Sequence, residues 1–208
     1  MSKSLAKAIG VKEGFLLMTL YDKNFPRDNY YKVIPIKKKN KKIRTLHAVH
    51  GRLKHIQKLT HEYLESNFKP SPYAKGFVKG GGIIENAKIH RRKNIILKFD
   101  VKDFFPSISF ARVRGMFMAY PFDFPEKWAT ILSQIVCLDN NGDNGSIPQG
   151  GVTSPYISNM ICRRLDKKIA KLGMVEKFHF SRYADDITIS TNKFIDIKDI
   201  NKKVKDIV

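Results

Sequence analysis

Apolar residues recur along this chain with two periods, near 3.6 and near 2. The points where the period switches divide the chain into elements. Residues 4–20 carry a partly amphipathic helical pattern, weakened by Gly10 and Gly14. "YYKVIPI" (30–36) and "IRTLHAV" (43–49) read as strands joined by "KKKNKK" (37–42), a hairpin with a positive tip. From residue 51 the period becomes helical, with Leu53, Ile56, Leu59, Tyr63 and Leu64 on one stripe until "KPSP" ends it. Gly80, Gly81 and Gly82 loosen the chain before a short helix over 83–91. "NIILKFDV" (94–101) reads as a buried strand that ends in an acid. Helices are expected over 109–120 and 126–138, and over 156–173 after the polar, Gly-rich loop 139–155. "EKFHFSRYADDITIST" (176–191) reads as two strands with a tight turn at the aspartates, and 196–208 begins a helix. The order predicts an α+β fold with an antiparallel sheet backed by helices.

Charge narrows the class of partner. Lys plus Arg number 39 against 19 Asp plus Glu, a formal net charge of +20 in 208 residues. Such an excess points to a polyanion, with nucleic acid ahead of an anionic membrane surface. No stretch has the roughly 18 apolar residues of a membrane span, and the N-terminus lacks a signal-peptide pattern. Cys137 and Cys162 lie in apolar surroundings outside any metal-ligand spacing, so buried thiols in a reducing, cytoplasmic compartment are expected.

Three carboxylates stand out against this pattern. Asp100 ends an apolar strand, and Asp185 and Asp186 sit at the turn of an apolar hairpin. Adjacent carboxylates repel, and desolvating them is costly unless a cation is present. Two Mg²⁺ ions held on adjacent strands would remove both penalties, because Mg²⁺ takes hard oxygen ligands and shares them with substrate phosphates. Asp-Asp is also an ordinary turn pair, and Asp103 reads equally as a supporting acid or a helix N-cap.

Four blocks together resemble the reverse transcriptase family, in the family's order. They are "IRTLHAVHGRLKHIQ" (43–57), "LKFDVKDFFPSI" (97–108), "IPQGGVTSPYISNMICRRLD" (147–166) and "RYADDI" (182–187). "ENAKIH" (85–90) is similar to the Asn-Ala-x-x-His element of bacterial retron enzymes. The resemblance implies a right-hand polymerase, with an N-terminal helical segment and fingers in residues 1–93 and an incomplete palm in 94–208, with further fingers helices within 109–140 as the other placement and no thumb. It implies Asp100, Asp185 and Asp186 as catalytic acids, with Asp100 and Asp185 as main metal ligands, the Val101 carbonyl contributing, and Asp186 as a partial ligand or a primer-side acid. Phe105 matches the residue that blocks a ribose 2′-OH, with core packing as its other reading. Gln149 and Gly150 match the loop under the incoming base and template, and Arg44 matches the fingers arginine that clamps the triphosphate. Tyr183 is expected near the primer end. Lys38, Lys41 and Lys42 read as contacts to triphosphate or template, or as a solvated patch. Asn86, His90, Arg91 and Arg92 are expected to contact RNA, with structural support as the other reading for Asn86 and His90.

The implied activity is RNA-templated DNA synthesis by a retron enzyme. It would use deoxynucleoside triphosphates and a structured non-coding RNA as template and 2′-OH primer, and leave a branched RNA–DNA hybrid. Anti-phage defence with an effector protein is the implied setting. The chain stops about twenty residues after the aspartate pair. The family pattern continues with a primer grip and a helical thumb, so a fragment, a truncated gene product, or a split enzyme with a separate thumb chain is expected. Three rivals remain: a group-II-intron-like or other defence-type reverse transcriptase, an RNA-directed RNA polymerase, and an inactive RNA-binding or toxin-partner module.

Overall fold

A computed structural model describes residues 4–37, 43–138 and 145–208. In chain order the helices and strands are α1 (Leu5–Ala8), α2 (Glu13–Tyr21), β1 (Tyr31–Lys37), β2 (Ile43–Val49), α3 (Gly51–Asn67), α4 (Ile83–His90), β3 (Ile95–Asp100), α5 (Phe110–Met118), α6 (Glu126–Val136), α7 (Ser154–Ile161), α8 (Arg163–Glu176), β4 (His179–Tyr183), β5 (Asp186–Thr191) and α9 (Ile197–Ile207). Contacts group them into two units. One takes Met1–Lys69 and Phe105–Ile157, and the other takes Pro70–Phe104 and Ser158–Val208.

In the first unit, the expected N-terminal helix is two helices, because Gly10 takes a left-handed φ of 77° between them. β1 and β2 pair antiparallel from Tyr31 opposite Val49 to Lys37 opposite Ile43. The core is built on the α3 stripe, with Leu53, Ile56 and Leu64 fully buried, together with Val113 and Phe117 of α5 and Leu132 and Ile135 of α6. Each such side chain contributes roughly 1.5–3 kcal/mol by leaving water. Tyr156 ties the end of this packing down, its hydroxyl bonding the carbonyls of Leu64 and Phe68 at 2.9 Å each.

The second unit is a three-stranded antiparallel sheet in the order β3-β5-β4. Its inner face carries Ile187, Ile189 and Phe180, which bury against Ile169 of α8 and Ile200 and Val204 of α9. α9 starts at Asp196, whose carboxylate accepts from the N–H groups of Lys198 and Asp199. β3 is an edge strand, so its burial alternates residue by residue and Ile96 is 49% exposed. The continuous apolar run "NIIL" therefore signals a half-covered strand, not a buried one.

The expected helix over 156–173 differs at both ends. It starts at Ser154, breaks at Cys162 (ψ −3°) and continues to Glu176. Gly173 does not stop it. A Cβ there would lie 2.9 Å from the Phe178 ring, so glycine serves close packing, and Lys177 supplies the left-handed terminus at φ 58°. Asp103 is not a helix N-cap either. Ser109 caps α5, while Asp103 sits in a run of turns at φ 49°.

Candidate active site

Strand register decides what the three aspartates can do. Asp100, the last residue of β3, is the direct cross-strand partner of Asp186, the first residue of β5. Asp186 is in turn opposite Tyr183 of β4. One step further along, the Val101 N–H donates to the Asp185 carbonyl at 3.1 Å. The ends of the three strands thus bring Asp100, Val101, Tyr183, Asp185 and Asp186 together. Directly opposed residues share one face, so the carboxylates of Asp100 and Asp186 project on the same side. Both are exposed, and neither has a hydrogen bond or ion pair among the described residues.

Like charges directly opposed across two strands are destabilising. A hard divalent cation removes that repulsion, and this all-oxygen donor set fits one. Among the described residues, no three His, Cys, Asp or Glu side chains converge as a closed metal cage. Mg²⁺ commonly uses one or two carboxylates and completes its shell with water and substrate phosphates, so the pair suits it without such a cage.

The turn between Tyr183 and Asp186 is held from beneath. Ala184 takes a left-handed φ of 56°, which costs a non-glycine residue about 1–2 kcal/mol. Arg182 lies on the inner face and is fully buried. Its guanidinium grips Asp166 of α8 through two bonds, of 2.7 and 2.9 Å. It also donates to Asn159 Oδ1 and to the Ala184 carbonyl, each at 3.0 Å. A hydrogen bond from a charged donor contributes about 1.5–3 kcal/mol, enough to offset the strain at Ala184. The segment 73–77 wraps the same turn. Arg182 N–H bonds the Tyr73 carbonyl, Lys75 N–H bonds the Arg182 carbonyl, and Gly76 lies so close that a Cβ would meet Ala184 N at 3.0 Å. No motif singled out Arg182, Asp166 or Asn159 as site residues. The available signal was an arginine in an otherwise apolar strand, which is buried only when paired.

Asn86 and His90, expected to contact RNA or to give structural support, pin α4 to the outer face of the sheet. His90 is 7% exposed, and its Nδ1 and Nε2 lie 2.7 Å from Ser190 Oγ and Ser181 Oγ. Ser181 Oγ donates to Asn86 Oδ1 at 2.6 Å, so it accepts from His90 Nε2–H. In a neutral ring Nδ1 then accepts from Ser190 Oγ. Burial lowers the His90 pKa, and nearby His179, Lys93 and Lys98 lower it further. Both ring nitrogens are thus engaged between α4 and the sheet. Arg91 and Arg92 are exposed.

The first unit gathers a second group. Arg44 Nε donates to Gln149 Oε1 at 2.7 Å, and His47 N–H donates to the Gln149 carbonyl at 2.7 Å. Gly150 follows at φ 104°, where a Cβ would sit 3.1 Å from the His47 carbonyl oxygen. Arg44 and the Gln149–Gly150 loop, far apart in sequence, are thus neighbours. Gln57, also overlooked, anchors this loop. It is fully buried, accepts from Val152 N–H at 3.1 Å and donates to the Ile135 carbonyl at 2.8 Å. Phe105 is half-buried in the turn before α5, its carbonyl accepting from Ile108 N–H. Lys38, Lys41 and Lys42 lie outside the described residues. Cys137 and Cys162 are buried free thiols as expected, and burial pushes the Cys137 thiol up to about 12.

Residues 36–208 match the family model described as reverse transcriptase (RNA-dependent DNA polymerase). The chain belongs to the reverse transcriptase family. Among its relatives, the retron Mx65 reverse transcriptase of Myxococcus xanthus is 34% identical over 200 residues, covering 90% of this chain and 47% of that protein. The retron Ec86 reverse transcriptase of Escherichia coli is 30% identical over 188 residues, covering 89% and 55%. The chain spans about half the length of these relatives. In fold, this reverse transcriptase chain is similar to a solved telomerase from Candida albicans, captured with a fragment of telomeric RNA. The TM-score is 0.52 at 12% identity, covering 85% of this chain and 39% of that one. The mixed architecture, with antiparallel sheets and backing helices, agrees with a fingers–palm fold. Among the described residues, no helix is long and apolar enough to cross a membrane.

Proposed function

We propose that this chain is the fingers and palm of a retron reverse transcriptase, copying a structured non-coding RNA into DNA. The observation that carries the reading is Asp100 directly opposite Asp186, closed by the Val101–Asp185 backbone bond. Fingers would fall in residues 1–93 and palm in 94–208, with further fingers helices within 109–140. The 30–34% identity to retron enzymes favours a retron over an intron-derived relative.

In the reaction, a primer hydroxyl oxygen bonds the α-phosphorus of a deoxynucleoside triphosphate. The bond from that phosphorus to the bridging oxygen breaks, pyrophosphate leaves, and the hydroxyl proton is lost. Asp100, Asp185 and Asp186, with the Val101 carbonyl, would hold two Mg²⁺ ions. Bound there, the metal would supply charge neutralisation and an acidified primer hydroxyl. Arg44, oriented by Gln149, offers a planar fork to triphosphate oxygens. Gly150 lets the backbone approach base and template, Tyr183 meets the primer end, and Phe105 excludes a ribose 2′-OH. Arg91 and Arg92, and Lys38, Lys41 and Lys42, would add phosphate contacts. A cytoplasmic setting, an effector protein and a defence role follow from the retron reading.

Primer extension with Mg²⁺ tests this, comparing the chain with Asp185→Asn. The variant should lose about 100-fold or more, since the metal contributes several kcal/mol to the transition state. Mn²⁺ binding followed by electron paramagnetic resonance should weaken in Asp100→Asn and Asp185→Asn alike. Equal product and equal Mn²⁺ binding in all three would defeat the enzyme reading.

A further inference from the structure

The outer face of α8 has a composition that the proposed catalysis does not use. Arg164, Lys167, Lys168 and Lys171 recur at spacings of three and four, so they form one stripe along the helix. Arg164, Lys167, Lys168 and Lys171 are exposed, and none has an ion-pair partner among the described residues. Both acids of α8 point elsewhere and are already paired. Asp166 is buried on Arg182, and Glu176 bonds Lys203 of α9 at 2.6 Å. The stripe is therefore a line of four uncompensated positive charges. From Arg164 to Lys171 the helix rises about 10 Å. Roughly six phosphate charges lie along the same length of a duplex axis.

We propose that this stripe binds the phosphate backbone of double-stranded nucleic acid, on the side of α8 opposite the face that supports the aspartate turn. Two polyanions carry the required charge, a duplex and an anionic membrane, and the apolar positions decide between them. A helix lying in a membrane surface commits its whole apolar face to lipid. The apolar face of α8 is committed to the sheet, where Ile169 is fully buried and Leu165 and Leu172 pack beside it. Only Met174 and Val175, 75% and 74% exposed, remain at one end of the stripe. That is too little to anchor in lipid. The binding is sequence-independent, because four phosphate contacts read no base edges.

The test is affinity for a labelled RNA hairpin across a KCl series, by fluorescence anisotropy and without divalent ions. The probe reports binding whether or not the aspartates catalyse. The variant is R164Q/K167Q/K168Q/K171Q, and the charge-matched control is K12Q/K23Q/K54Q/K58Q, all exposed positions of the other unit. Four phosphate contacts on a duplex predict that the slope of log affinity against log salt becomes shallower by about 3.6 in the stripe variant. The control should keep more of the slope. An equal loss in both would make the effect one of net charge, and an unchanged slope in the stripe variant would remove the surface; either overturns the proposal. So would binding to vesicles rich in phosphatidylserine that the stripe variant loses while its RNA slope stays put.

Discussion

Removing the carboxylate of Asp166 tests the account of how the aspartate turn is held. Both members of the Arg182–Asp166 pair are 0% exposed. Asp166→Ala leaves a buried guanidinium with only Asn159 and the Ala184 carbonyl as partners. Deleting one half of a buried ion pair costs about 3–5 kcal/mol, mostly the penalty of the stranded charge. A typical domain has only about 5–15 kcal/mol in all, so this unit should approach its stability limit. The double replacement D166L/R182M removes both charges at similar volume and should restore most of that loss. It cannot restore the bond to the Ala184 carbonyl. The double variant should therefore regain stability while its primer extension stays impaired, because the charged bond that offset the strain at Ala184 is gone. Urea unfolding followed by far-ultraviolet circular dichroism measures the stability. The single tryptophan, Trp128, lies in the other unit and is the wrong probe. A loss below about 1 kcal/mol in Asp166→Ala, or full activity in the double variant, would show that the Arg182–Asp166 pair does not hold the turn.

Other substitutions follow from the same geometry. His90 has a lowered folded pKa, so the unfolded chain binds more protons as pH falls below about 6.5. Stability should hold above that pH and decline from about 6.5 down to the folded pKa, and His90→Gln should flatten that part of the curve in urea melts across pH. Gly150→Ala forces a left-handed conformation and a 3.1 Å approach to the His47 oxygen. It should cost about 1–2 kcal/mol and raise the KM for nucleotide, measured in steady-state extension. Phe105→Ala should admit ribonucleotides, read as extension products that become alkali-labile; a variant still selective for deoxynucleotides would leave Phe105 as core packing alone.

The sequence made much of this legible, for a physical reason. Periodicity reports which face is buried, so the α3 stripe, the β1–β2 hairpin and the β4–β5 hairpin all stand where the pattern put them. The acids and the Gln149–Gly150 loop were recognisable because their chemistry demands residue types that packing does not. Partnership was harder to read. His90 offers the same letters whether its ring faces RNA or two serines, and only register shows that Ser181 and Ser190 stand beneath it. Gly173 reads as a helix stop until Phe178 is seen to occupy the space of its missing Cβ. The alternation of β3 was hidden because its outward positions include Ile96, an apolar residue on an uncovered edge.

Strand β4 sends neighbouring residues to opposite sides, with Ser181 to the α4 network and Arg182 to Asp166. A shift of one residue in its pairing would drop a serine beneath α8 and lift the arginine against His90. No intermediate register satisfies either side. The loop from Ala184 to Asp185 should therefore be intolerant of single-residue insertion or deletion, however readily its surface accepts substitution. In a library of length variants, members one residue longer or shorter should be lost from the folded pool, while changes elsewhere on the exposed rim survive.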